Sequence, residues 1–129
     1  MSWSEVLIAL LICHVVGDVL LQTDWQAMNK SSGLGQSLGR RALVRHVATY
    51  SVAFIPALVW IGGQTTPWRA IGVGALVAIP HLLIDDGRLV RFWLRDVKGT
   101  TTPALGLMIA TDQSFHVLCL FAAALVATA

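Results

Sequence analysis

Three pairs of residues in this sequence can do chemistry at one repeated spacing: His14 and Asp18, His81 and Asp85, Asp112 and His116. On a helix, residues i and i+4 share a face one turn apart, so each pair points an imidazole and a carboxylate the same way. His46 adds a fourth histidine, and Asp86 follows Asp85 directly. Neutral imidazole and carboxylate are ligands for zinc, manganese and iron. Helical bundles build dinuclear centres from such side chains on facing helices, and two neighbouring ions can activate water and hold a leaving oxygen. The expected ligands are therefore His14, Asp18, His46, His81, Asp85, Asp112 and His116. The expected cofactor is a divalent metal ion, zinc ahead of manganese or iron. Asp24 and Asp86 are left as spare carboxylates for general acid or base work. A self-satisfied His–Asp network that ties helices together is the plainer alternative. Three pairs and a further histidine exceed what packing requires.

The elements that carry these residues are apolar. The chain of 129 residues is 56% hydrophobic and 12% charged, with a mean hydropathy of +0.71. A soluble domain carries about 25% charged residues, so this composition calls for a bilayer. The reading is an all-α, integral-membrane four-helix bundle in a single domain, 1–129. Its spans lie at about 3–22, 42–63, 68–86 and 103–128. The connections 23–41 and 87–102 are polar, and the second contains a candidate basic amphipathic helix within Gly87–Lys98. The first apolar run lacks the basic leader of a secretory signal and reads as a retained span. Cys13 and Cys119 match no zinc-ligand or redox spacing and read as small membrane-buried residues, although Cys13 adjoins His14.

Lysine and arginine asymmetry orients the spans. Lys30, Arg40, Arg41, Arg45, Arg88, Arg91, Arg95 and Lys98 belong to the two long connections, and only Arg69 lies on the other side. Both connections are expected to be cytoplasmic, both termini extracytoplasmic, and the protein multi-pass in the inner (cytoplasmic) membrane. The tryptophans near span ends read as an interfacial belt. In antiparallel order the four spans bring Asp18, His46, His81 and Asp112 to one level. At 1.5 Å per residue that level lies roughly 7–14 Å from the inner surface. Ionisable groups at such depth cost a few kcal/mol each and should converge rather than scatter in lipid.

Other polar residues border this level. Gln22 continues the Asp18 face, to bind substrate or to cap the helix. Gln113 either lines the cavity or bonds a neighbouring helix, and Tyr50 either reaches the site or packs. Arg40, Arg41, Arg45 and Arg88 would ring the mouth and can receive a phosphate, or serve topology and lipid head groups alone. The substrate-binding set is thus Gln22, Arg41, Arg45, Arg88 and Gln113. Lys30 reads as a solvated loop charge. Pro56 and Pro80 are tolerable within membrane helices, and Pro80 is placed to aim His81.

In order along the chain, His14-Val-Val-Gly-Asp18 running on to Gln22-Thr-Asp24-Trp25, Lys30, His46 with Tyr50, His81-Leu-Leu-Ile-Asp85 and Asp112-Gln113-Ser-Phe-His116 resemble one known family. It is the bacterial and phage membrane family catalogued as domain of unknown function 3307. The match covers nearly the whole chain and implies a small multi-span protein with a His–Asp site. The family pattern implies a lysine soon after the third motif, where this chain has Asp86-Gly87-Arg88. The sequence is also distantly similar to membrane-bound metal-dependent hydrolases.

The function expected first is a membrane-embedded, metal-dependent hydrolase with a mono- or dinuclear centre near the cytoplasmic face, acting on a phosphorylated or lipid substrate. Ser51 and Ser114 form no evident nucleophilic triad. A metal-ion or proton transporter or channel is the second reading, weakened by the lack of polar residues in the outer halves of the spans. A metal-stapled structural or binding module is the third. Expected partners are membrane lipid and a small-molecule or lipid substrate, with self-assembly open. A net charge of +2 gives no case for nucleic acid.

Overall fold

The computed structural model covers residues 1–129 and is all-helical. Helix α1 (Trp3–Val15) starts at a reciprocal cap in which Ser2 and Glu5 satisfy each other's backbone N–H groups, and it runs on into a π-helical turn, Val16–Leu20. A second cap of the same kind, Thr23 with Gln26, starts the short α2 (Asp24–Asn29). A single 3-10 turn, Lys30–Ser32, leads to Gly33 and then to α3 (Ser37–Ala53). Helices α4 (Ile55–Gln64) and α5 (Pro67–Asp85) follow. Helix α6 (Arg88–Phe92) continues as a π-helical turn, Trp93–Val97, and α7 (Leu105–Thr128) ends the described chain.

The stretches Trp3–Leu20, Pro67–Asp85 and Leu105–Thr128 are long and apolar enough to cross a membrane, and α3 with α4 makes a fourth if that bent pair is one span. The expected continuous helix over 42–63 is instead bent by 46°. Pro56 is the cause: it has no N–H to offer Val52, and its ring crowds that carbonyl. The Phe54 N–H turns back to Ser51, and α4 restarts from the Phe54 carbonyl. Pro80, by contrast, sits inside an unbroken α5. The amphipathic reading of 87–98 is matched by α6 and its π turn, where Val90 and Leu94 are buried and the arginines are exposed.

Packing divides along the long axis. One apolar core joins Val6 and Leu10 of α1, Phe54 and Ile61 of the bent pair, Val73 and Val77 of α5, and the alanine-rich face of α7. Alanines at 123, 124 and 127 let α7 approach its neighbours closely, the means by which apolar helices gain dispersion contact. A smaller core of Ile84, Val90 and Leu94 lies near α6. All four histidines, with Asp18, Asp85 and Asp86, are buried. Only 30 of the 129 residues are buried, and Ile8, Ile12, Ile71, Ile79 and Leu118 face outward. Such an apolar exterior is compatible with membrane residence.

Gly17 marks the closest approach of the first helix to α3: a Cβ there would stand 2.8 Å from Tyr50 Cδ2 and 3.2 Å from its Cα. Gly72 meets nothing within 4 Å. Gly17→Val should therefore destabilise the protein by about 1–3 kcal/mol through overpacking, read as a lowered Tm in detergent, whereas Gly72→Val should leave Tm nearly unchanged. Equal effects of the two substitutions would refute this close approach.

Candidate metal centre

Each half of the centre is held by a different local device. The π turn carries Asp18. Its i→i+5 bonding departs from the α-helical period, so His14 and Asp18 do not pair directly as i,i+4 residues. Asp18 turns to His46 Nε2, 3.1 Å from its Oδ1. His14 stays behind it. Gln113 Oε1 can only accept, so His14 Nε2 donates to it (2.9 Å), and His14 Nδ1 then accepts from the Tyr50 hydroxyl (3.1 Å). Gln113 Nε2 donates in turn to Asp18 Oδ2 (3.1 Å) and Asp112 Oδ2 (3.2 Å). His14, with both nitrogens engaged, orients Gln113, which orients two carboxylates.

Helix α5 delivers His81 and Asp85 from one face, as the i,i+4 spacing requires. His46 Nε2 and His81 Nε2 are 3.0 Å apart, and each lies close to Asp85 Oδ2, at 3.0 Å and 3.1 Å. Two ligands of a tetrahedral ion with bonds of about 2.05 Å sit about 3.3 Å apart. The three donors thus have nearly the separations that one small ion imposes. The Tyr50 ring stacks on His81 with centroids 3.5 Å apart and planes 9° apart, which holds the imidazole in place.

The second half uses the other oxygen of Asp85. His116 Nδ1 donates to the Asp112 carbonyl (3.0 Å), and its Nε2 faces Asp85. That Nε2 lies 3.6 Å from Asp85 Oδ1, and both atoms are buried with no hydrogen-bond partner. Asp112 Oδ2 completes this half, 3.5 Å from His116 Nδ1. Two sets therefore share Asp85: Asp18, His46, His81 and Asp85, and then Asp85, Asp112 and His116, the donor atoms of each lying within 4.8 Å of one another. These groups can hold a metal ion.

The sequence reading missed Lys30. Its Nζ donates to Asp85 Oδ2 (2.8 Å) and Asp18 Oδ1 (3.3 Å), and it lies 3.4 Å from His46 Nε2. Burial opposes its charge, but Asp85 and Asp18 outweigh burial and hold its pKa above the ordinary lysine value. A signal existed: Thr23-x-x-Gln26 is a capping-box pattern that starts a helix inside the connection and folds Lys30 back over the site. Gly33, at φ 78°, makes the following turn against the Asp86 carboxylate, which accepts from the Leu34 N–H at 2.9 Å.

The remaining expected residues are distributed as follows. Asp86 is buried and bound by Arg88 Nε at 2.9 Å. Gln22 is half-buried, with an Oε1 that has no partner. Asp24 and Arg41 are exposed and take no part in the cluster's hydrogen bonds. Arg45 is exposed and lies over the Trp25 ring, 5.7 Å from its centroid. Cys13 and Cys119 are half-buried free thiols outside both donor sets.

A model of the family described as Protein of unknown function (DUF3307) matches residues 6–129. The chain belongs to this family. No curated protein and no solved structure matches it. In this DUF3307 chain the matched span contains every residue of both donor sets and Lys30.

Removing one partner from a buried ion pair strands the other charge and costs about 3–5 kcal/mol. Lys30→Met should therefore lower Tm in chelator-treated detergent solution, and added zinc should raise the variant's Tm by more than the wild type's. An unchanged Tm in chelator would show that the ammonium does not hold the carboxylates.

Proposed function

We propose that this protein is a membrane-embedded, metal-dependent hydrolase of a phosphorylated or lipid substrate. The observation that carries the reading is the shared Asp85: one carboxylate whose two oxygens face two converging donor sets, the second containing two buried atoms, His116 Nε2 and Asp85 Oδ1, with no hydrogen-bond partner. Charge supports it. Asp18 and Asp85 share a single ammonium, Lys30, and buried charge persists only when compensated. One negative charge is left over in that set, and a bound cation would offset it.

In this reading His46, His81 and Asp85, with Asp18 beside them, hold the first ion, and Asp85, Asp112 and His116 hold a second. A bound divalent ion supplies Lewis acidity toward water and toward the reacting oxygen. The chain's own residues do the rest. Gln113 keeps Asp18 and Asp112 aimed inward. Asp112 is half-exposed beside the cavity that reaches Asp85, so this side of the centre is open to an incoming molecule. Hydrolysis adds the water's hydroxyl to the substrate's electrophilic centre and its proton to the departing oxygen. Lys30 offers a positive charge to an anionic substrate group. The site sits near the cytoplasmic face of the inner membrane, with both termini on the other side, as the basic connections imply.

Lys30 within the donor set favours one other reading, a metal-free polar network that locks four helices. A conduit is supported less. The apolar core of Val6, Leu10, Phe54, Ile61, Val73 and Leu120 lies beyond the site and offers an ion no ligands.

Elemental analysis of detergent-purified protein separates the first two. The wild type, re-supplied with zinc, manganese and iron, should carry one or two equivalents. His81→Ala and Asp112→Ala should each lose metal, and Asp85→Asn should lose all of it. Phosphoester hydrolysis should fall at least a hundredfold in Asp85→Asn. A wild type that carries no metal under these conditions overturns the hydrolase in favour of the Lys30-centred network.

A further inference from the structure

Two cavities meet at Arg91. The larger, about 510 Å³, runs along α6 and the segment after it, with Arg88, Arg91, Arg95, Thr100 and Thr101 in its wall. The smaller, about 220 Å³, is lined by Lys30, Asp85 and Asp112. Arg91 and Met108 line both. A basic chamber thus adjoins the candidate metal centre.

Arg88, Arg91 and Arg95 line one wall together, while Val90 and Leu94 point to the core. Their charges are not equally free. Arg88 is paired with Asp86 (2.9 Å) and Arg95 with Asp96 (2.9 Å). Arg91 has no carboxylate partner: its Nη1 donates to the Ser31 carbonyl (3.2 Å) and its Nη2 to the Asp86 carbonyl (3.5 Å). Room for it is made by Gly87, at φ 78°, where a Cβ would stand 2.6 Å from Arg91 Nη1. The positive charge left over in the chamber is therefore the one at the junction. Enforcing membrane topology needs only that arginines lie in the connection. It does not need one held by backbone carbonyls beside a glycine, between a chamber and a buried His–Asp centre.

We infer that this chamber is a phosphomonoester-binding site that seats a terminal phosphate at Arg91, with Arg88, Arg95 and the Thr100 and Thr101 hydroxyls around it. Guanidinium forks match phosphate oxygens in pairs. A terminal phosphate offers three free oxygens to such donors, and a phosphodiester offers two. The inference deepens the hydrolase reading and rests on it for the claim that the bound molecule is the substrate. The phosphate can belong to a lipid or to a soluble ester.

Calorimetric titration of the full chain in detergent tests it, with dioctanoyl phosphatidic acid, dioctanoyl phosphatidylglycerol and glycerol 3-phosphate as probes. The wild type should bind phosphatidic acid at least tenfold more tightly than phosphatidylglycerol. Arg91→Gln with Arg95→Gln should weaken that binding tenfold or more at unchanged metal content. Arg69→Gln, which removes a like charge from a position that lines neither cavity, should leave it within twofold. Arg91→Lys, which keeps the charge and loses the fork, should fall between. Glycerol 3-phosphate binding as tightly as phosphatidic acid supports the site with a soluble ester, and much weaker binding supports it with a lipid. Equal affinity for the two lipids, or for the Arg91/Arg95 variant and the wild type, overturns the proposal. Arg91-dependent binding by a wild type that carries no metal would leave the site standing and remove only the hydrolase.

Discussion

The Asp85 carboxylate is 1% exposed, in a protein whose outer surface is largely apolar. A charge so placed needs partners from every direction, because neither solvent nor lipid supplies them. It has Lys30 from the first connection, His46 from α3 and His81 from its own helix on one oxygen, and His116 of α7 facing the other. Meeting that demand explains features that look unrelated along the chain. The Thr23–Gln26 cap and the turn at Gly33 return Lys30 to the centre. Gly17 admits Tyr50, which backs His81 by stacking and holds His14 by a hydrogen bond. The π turn diverts Asp18 from the His14 face toward His46.

Much of this was legible in the sequence, for a physical reason. In an apolar helix each ionisable residue is costly, so its presence is informative and its partners must be near. Asp18, His46, His81, Asp85, Asp112 and His116 could be grouped from hydropathy and a helical period alone, and they do converge. The helical class followed from the same pattern. What stayed hidden depended on departures from the ideal helix. A strict α-helical period pairs His14 with Asp18, and the π turn breaks that pairing. The same period makes 42–63 one straight rod, and Pro56 bends it. Lys30 was obscure because a polar loop gives no periodicity to read. Its cap pattern was visible, but where the short helix would lie was not.

The two ends of the molecule differ in kind. Beyond Tyr50 and Leu120, toward the start of α1, the interior is aliphatic and aromatic. Toward α6 lie the small cavity that reaches Asp85 and the arginine-lined one, which share Arg91 and Met108 in their walls. A centre reached from one side, with a dry wall behind it, keeps its electrostatic interactions strong and limits competing water.

Three donors of the first set lie close enough together to share one cation. A proton is shared along a line between two atoms, so protonated carboxylates would give discrete donor–acceptor pairs. His46 Nε2, His81 Nε2 and Asp85 Oδ2 do not form discrete pairs. Each is 3.0–3.1 Å from both of the others, and a mutual triangle of nitrogen and oxygen donors converges on a point. The Lys30 ammonium satisfies part of that convergence from one side, at 2.8 Å from Asp85 and 3.4 Å from His46. It makes no contact with His116 of the second set, whose Nε2 lies 3.6 Å from Asp85 Oδ1, both atoms buried and without a hydrogen-bond partner. An ion between those two atoms with bonds of about 2.0–2.1 Å would subtend an angle of roughly 120°, within the range metal sites adopt. The second half of the centre therefore bears more directly on the metal reading than the first, although it has fewer ligands.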